Sequence, residues 1–273
     1  MKPQRHICVW AASAALLHSA LWAGEIGPEA LDDLPGADIV ILGEVHDNPD
    51  HHAAQARAIA AIEPAALVFE MILPEQATAI TPGLRTDAGA LAEALAWEER
   101  GWPDFEMYHQ LFLAAPDAAI YGADVPRTEV RRALSEGAAA VFGEGAGELG
   151  LTTALAPEVQ AAREARKAAA HCDMLPENLL PGMVEAQRLR DAALAQAARG
   201  ALAETGGPVV VIAGTGHAHR DWGIPAMLQH AAPGLRVLSV GQYEVPVTGA
   251  MPHDLWLVTE APPRPDPCAA FRQ

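Results

Sequence analysis

The chain has 273 residues, of which 51% are hydrophobic and only 5% aromatic, and 18 basic against 35 acidic side chains leave a formal net charge of −17. That length and apolar content suffice for a sizeable core, either one large domain or a core carrying an inserted subdomain. The acidic balance argues against nucleic acid or an anionic membrane surface as a partner, and by itself it only keeps a protein soluble.

In chain order, Lys2, Arg5 and His6 precede an apolar run from Ile7 to Ala20, and Leu21-Trp22-Ala23 offers a small residue for cleavage before Gly24. This pattern predicts a secretory signal over residues 1–23, a periplasmic location and no transmembrane anchor after cleavage. Cys8 lies ahead of the apolar run, outside the setting of a lipidated cysteine. Cys172 and Cys268 then remain, a candidate disulfide in an oxidising compartment, with two free structural thiols as the alternative.

A short helical turn is expected over Glu25 to Asp33. Ile39 to Leu42 reads as a strand with no polar alternation, as suits a parallel sheet covered on both faces. A helix over Asp50 to Ile62 follows, capped by Asp47 or Asn48 ahead of Pro49. Ala66 to Phe69 is the next strand and completes a β-α-β crossover. Pro74 to Arg100 is helical with a break at Pro82-Gly83, and Phe105 to Ala114 is a helix of large side chains. Ala118 to Tyr121 is a short strand, and a helix opens at Pro126. The glycines between Gly143 and Gly147 interrupt the pattern before helices over Pro157 to Ala170 and Gly182 to Arg199. Strands are expected at Val209 to Ala213, Arg236 to Val240 and Leu255 to Thr259, with a helix at Pro225 to His230.

The reading is an α/β fold, a largely parallel β-sheet core flanked by helices. A single domain spans residues 24–260, with sheet core about 35–82 and 205–260, a mostly helical insertion about 83–204, and a Pro-rich tail 261–273.

Open parallel sheets bind ligands beyond the carboxyl ends of their strands. Each proposed strand delivers a polar group there: Glu44 and His46, then Glu70, then Asp124, then His217 and His219. Taken singly, such residues are usually solvated loop or satisfied core groups; their coincidence at one edge points to a site. Two histidines and a carboxylate (His46, His217 and Glu44) could hold a divalent metal with a position open for water, with Glu70 as ligand, supporting group or general base. Gly43, Gly214 and Gly216 would allow close approach or a positive φ. His51 and His52 are expected to face solvent or border the site. The helix near Glu185, Gln187, Arg188, Arg190 and Asp191 is either a salt-bridged surface helix or one that lays an arginine over the site. No nucleophile elbow, phosphate-binding loop or His-Glu-x-x-His motif is present.

Four ordered blocks carry a family resemblance: Leu42 to His52, Phe69-Glu70-Met71, Met183 to Asp191, and Ala213 to Pro225. The chain resembles the ChaN haem-binding uptake proteins of the Tiki superfamily. The resemblance implies an α/β sheet with a helical subdomain, haem as ligand, a role in haem or iron uptake in the cell envelope, and a homodimer enclosing a face-to-face haem pair. It further implies a tyrosinate ligand for the iron, here assigned to Tyr108, with Arg127, Arg188 and Arg190 serving the propionates. Asn48, Asp124, Glu185 and His219 complete the expected pocket. Tiki relatives supply the alternative, a metal-dependent peptidase with Glu44, His46 and His217 holding Mn, Co or Zn and with Glu44 and Glu70 catalytic. The lipobox cysteine of lipoprotein ChaN forms is missing.

Overall fold

A computed structural model describes residues 23–266, 268 and 269. The expected signal segment, apart from Ala23, lies outside the described residues. The elements are β1 (Gly24–Glu25), a 3-10 turn (Pro28–Asp33), β2 (Ile39–Glu44), α1 (Pro49–Ile62), β3 (Ala66–Phe69), α2 (Pro74–Ala77), α3 (Pro82–Arg85), α4 (Ala88–Ala94), α5 (Trp97–Arg100) and α6 (Phe105–Ala114). There follow β4 (Ala119–Gly122), α7 (Arg127–Glu136), α8 (Ala138–Phe142), α9 (Pro157–Ala170), α10 (Leu180–Thr205), β5 (Val209–Gly214), α11 (Ile224–Ala231), β6 (Val237–Tyr243) and β7 (Leu255–Val258).

The seven strands form one parallel sheet in the order β1-β7-β6-β2-β5-β3-β4. Every residue of β2, β3 and β5 is buried, which accounts for their unbroken apolar sequences. Alternate side chains feed two layers. Val40, Leu42, Leu67, Phe69, Val210 and Ile212 pack in one core with Ile59 of α1 and Leu111 and Phe112 of α6. Ile39, Ile41, Val68, Val209 and Val211 pack in the other with Ala192, Ala195 and Ala198 of α10 and Leu228 of α11. Each large apolar side chain buried this way contributes about 1.5–3 kcal/mol.

The segment 83–204 does not stand apart as a separate unit. It contributes β4 to the sheet, α6 to one covering layer and α10 to the other. Helix α10 also runs past the expected end at Arg199, continuing through Gly200 until Gly206 turns left-handed at φ 82°. Burial of Ala195, Ala198 and Ala201 outweighs the poor helix propensity of that one glycine. The strand β1, too short to show a pattern, pairs with β7. A disulfide joins Cys172 to Cys268 across 96 residues and fastens the tail to the turn after α9.

Candidate functional site

Strand order decides which polar groups meet. β5 lies between β2 and β3, with Glu44 opposite Gly214 and Phe69 opposite Ile212. The residues just beyond these three strands therefore share one patch of the carboxyl edge. Glu70 anchors it: its backbone N–H donates to the Ile212 carbonyl at 3.0 Å, and its Oε2 accepts from the Gly214 N–H at 2.7 Å. His217 brings Nε2 to 3.2 Å from Glu70 Oε1, while its Nδ1 lies 2.6 Å from Asp191 Oδ1. On the other flank His46 Nε2 lies 3.9 Å from Glu70 Oε2, and its Nδ1 is 2.7 Å from Glu44 Oε1. The result is a central carboxylate between two imidazoles, each braced from behind by its own carboxylate.

The glycines serve close approach rather than unusual backbone angles. A Cβ on Gly214 would sit 3.1 Å from His46 Nε2, and one on Gly43 would sit 2.9 Å from the Thr215 Cα. Neither glycine, nor Gly216, has a positive φ.

Burial opposes charge on all these groups, yet they hold it together. Desolvation would raise the Glu70 pKa, but the charge and hydrogen bond of His217, then His46 and the Gly214 N–H, keep it well below the usual carboxylate range. Desolvation would lower both imidazoles. Glu44 and Glu70 instead raise His46 to about 9, and Glu70 and Asp191 raise His217 to about 9. Glu44 itself is lowered: burial is overcome by the His46 hydrogen bond and charge, with help from His52 and Tyr108. At neutral pH the constellation is an alternating row of anions and cations.

Beside Glu70 opens a cavity of about 620 Å³, bordered by Leu73, Trp102, Val125 and Pro126, by Arg100, Arg127 and Arg190, and by Asp124. Arg100 is ion-paired to Asp124, and Arg127 donates to the Arg100 carbonyl at 2.8 Å. Arg190 forms no ion pair among the described residues. Trp102 also meets the His46 ring, centroid to centroid 5.3 Å.

A family described as haem-binding uptake, Tiki superfamily, ChaN matches residues 30–228, most of the chain. The chain belongs to the ChaN family. Among solved structures, ChaN of Campylobacter jejuni, described as showing cofacial heme binding, is 20% identical over 83% of this chain and 88% of its own, with a TM-score of 0.60. The type III effector HopBA1 is 14% identical over 86% and 92% of the two chains at a TM-score of 0.43. A Bacillus cereus protein is 14% identical over 79% and 67% at 0.42. Comparison with curated proteins gives no match.

In this ChaN-family chain the expected site residues fall into three groups. Glu44, His46, Glu70 and His217 meet at the strand ends, and Asp124, Arg127 and Arg190 border the adjoining cavity. The others have structural partners instead. Arg188 is buried, binding Glu185 at 2.8 Å and the carbonyls of Gly150, Leu151 and Thr153, so it cannot meet a propionate. Glu185 accepts from the Ala138 N–H at 2.8 Å. Asn48 caps α1 and donates to Glu244 Oε1 and the Glu260 carbonyl at 2.8 and 3.0 Å. His219 is buried against Trp222, ring centroids 3.9 Å apart.

Three expectations need correction. Tyr108 is fully buried and donates its hydroxyl to Glu44 Oε1 at 2.6 Å. Burial, then the charge and hydrogen bond of Glu44, push its pKa far up, so a tyrosinate at this position is disfavoured on both access and ionisation. His51 and His52 are also fully buried rather than exposed. The metal set of Glu44, His46 and His217 does not assemble. Glu44 stands behind His46, its oxygens taken by His46, Tyr108 and Gln55. Among the described residues no group of three or more His, Cys, Asp or Glu is placed to hold a metal ion. The divalent-metal alternative is thus not supported by this arrangement.

Asp191 and Gln187 are the site residues whose role the sequence pattern did not reveal. Both reach His217 from α10, Gln187 Nε2 lying 2.9 Å from His217 Nδ1. Their i, i+4 spacing places them on one face of the helix, a usable signal once that face is known to cover β5. Trp102 and Arg100, which border the cavity, follow no strand end of the kind that marked Glu70 and His217.

Proposed function

We propose that this protein binds haem in the cavity at the carboxyl edge of the sheet. The wall of that cavity is the observation that carries the reading. A porphyrin offers a flat apolar disc with carboxylates along one edge. Leu73, Trp102, Val125 and Pro126 suit the disc, and the guanidinium groups of Arg100, Arg127 and Arg190 suit the carboxylates. The volume of about 620 Å³ lies within the usual range for small-molecule sites. Membership of a family named for haem-binding uptake supports the same ligand.

The protein works in haem or iron uptake in the periplasm, a setting that the signal-like N-terminus and the Cys172–Cys268 disulfide support. Two copies bring their cavities together over a pair of haems, in keeping with the cofacial binding described for the Campylobacter jejuni relative. Hemin titration followed by absorbance is expected to show a saturable Soret change. Arg190→Ala should weaken binding by about tenfold, the equivalent of roughly 1.4 kcal/mol, through loss of one charged contact. Light scattering with and without hemin should show a dimer in the loaded sample. A Soret change that never saturates above that of an unrelated acidic protein overturns the reading.

A further inference from the structure

A second cavity, of about 340 Å³, opens between α9, α11 and the loop 149–156. It shares no bordering residue with the cavity beside Glu70. Helix α10 stands between the two, with Arg190 at the first and Arg188 at the second. Residues two apart on a helix point to nearly opposite sides, so one helix serves both without joining them. Leu149, Leu155, Val159 and Met227 form the apolar wall of the second cavity. Val159 and Arg163 are spaced i, i+4 on α9 and so share a face.

Arg163 is the exceptional group in this wall. It is only 6% exposed, a degree of burial that arginine seldom reaches without full pairing. Its Nη2 donates to the Trp222 carbonyl and lies 3.7 Å from Asp191 Oδ2. Asp191 is already engaged with His217, Oδ1 to Nδ1 at 2.6 Å. Nε and Nη1 of Arg163 make no hydrogen bond among the described residues. The guanidinium carbon sits 5.4 Å from the centre of the Trp222 ring, which also borders the cavity. Burial pushes the pKa of Arg163 below its ordinary value and outweighs the pull of Asp191.

The remaining charges at the cavity are occupied or wet. Arg188 is taken up by Glu185 and by the carbonyls of Gly150, Leu151 and Thr153. Asp221 stands at the rim with its side chain 68% exposed, where water and salt screen it. His230, also on the border, is exposed.

A buried guanidinium with free donors is costly in an apolar wall, and one anion placed on those donors offsets that cost through charge-assisted hydrogen bonds. We propose that this cavity is a second ligand site, for a small monocarboxylate with an apolar body: Arg163 takes the carboxylate, and Leu149, Leu155, Val159 and Met227 take the body. A second negative charge on the ligand would lie unpaired against that wall, which selects a monoanion. The volume falls within the range of small-molecule sites. The proposal does not depend on the haem reading, since it uses a different cavity and none of the residues assigned to haem.

The test is isothermal titration calorimetry of the full chain with sodium octanoate, kept below its micelle concentration, beside 1-octanol and octylammonium as probes of the same apolar body. Wild type should bind one octanoate saturably, and both other probes at least about tenfold more weakly, as loss of a charged contact requires. Arg163→Gln should weaken octanoate by about tenfold or more and leave octanol unchanged. Ala226→Trp, which fills the cavity from a half-buried position on α11, should abolish octanoate binding while hemin titration stays as in wild type. Circular dichroism of each variant checks that it folds, and the comparison of the three probes on wild type stands without any variant. No saturable octanoate binding to wild type overturns the proposal. So does octanol or octylammonium binding as tightly as octanoate, or octanoate binding that survives unchanged in a folded Arg163→Gln or Ala226→Trp.

Discussion

Glu70 shows at the scale of a residue how pH should act on this protein. His46 and His217 hold their protons more tightly in the folded state, at about 9, than at their ordinary value of 6.5. Their stabilisation is complete below about pH 6.5 and is lost as pH rises through about 9. Glu70 runs the other way: its folded pKa lies below the ordinary 4.5, so its contribution is present above about pH 4.5 and is lost on further acidification. His219 and His253 sit buried at about 3 and about 4, pressed down by burial and the Arg166 charge, so they too destabilise the fold as pH drops below about 6.5. Thermal stability should therefore peak near pH 6.5 and fall on both sides. Glu70→Gln removes the anion shared by the two imidazoles and should flatten the alkaline limb. Melting temperatures from pH 4 to 10 for both proteins decide this, and an unaltered alkaline limb in the variant would sink the account.

At the scale of elements, the site depends on how closely β2, β5 and the loop after β5 approach one another. Gly43→Ala puts a Cβ 2.9 Å from the Thr215 Cα, a backbone atom that cannot turn aside. A loss of roughly 1–3 kcal/mol is expected, readable in urea denaturation. Gly214→Ala makes a useful contrast, since its Cβ meets His46 Nε2 at 3.1 Å and that ring is partly exposed and can yield. It should cost less stability than Gly43→Ala yet disturb hemin binding more. Equal losses for the two variants would show that side-chain yielding does not matter here. Between α10 and the sheet the same closeness comes from alanine, with Ala192, Ala195 and Ala198 all fully buried. Ala195→Leu should overpack that layer and cost roughly 1–3 kcal/mol.

For the whole molecule, the Pro-rich tail is tied to the fold at several points. Arg264 pairs with Asp47 at 3.0 Å and with Glu244, and Asn48 holds the Glu260 carbonyl at 3.0 Å. The tail thus crosses the carboxyl edge of the sheet near the β2 end before reaching Cys172. Closing 96 residues of chain restricts the unfolded state, so Cys172→Ala with Cys268→Ala should lower unfolding free energy by about 2–4 kcal/mol. Denaturation of wild type with and without reductant should reproduce the loss. No change in either experiment would mean that the ion pairs alone hold the tail.

The central strands and the carboxyl edge of the sheet were legible in local sequence pattern. Short unbroken apolar runs bounded by turn residues suit strands buried on both faces, and the polar residues that follow Leu42, Phe69 and Ala213 then lie beyond the carboxyl ends. Glu44, His46, Glu70 and His217 were legible for that reason. Tertiary structure decided what each does. Strand order set β5 between β2 and β3, which made Glu70 the shared centre and turned Glu44 into the brace of His46. Burial withdrew Tyr108, Arg188 and Asn48 from any ligand, and the pairing of α10 with β5 brought in Asp191. Local sequence fixes backbone pattern because its period is short. Which side chain faces a cavity, and which stands behind its neighbour, depends on contacts between segments far apart in the chain, and those exist only once the sheet has formed.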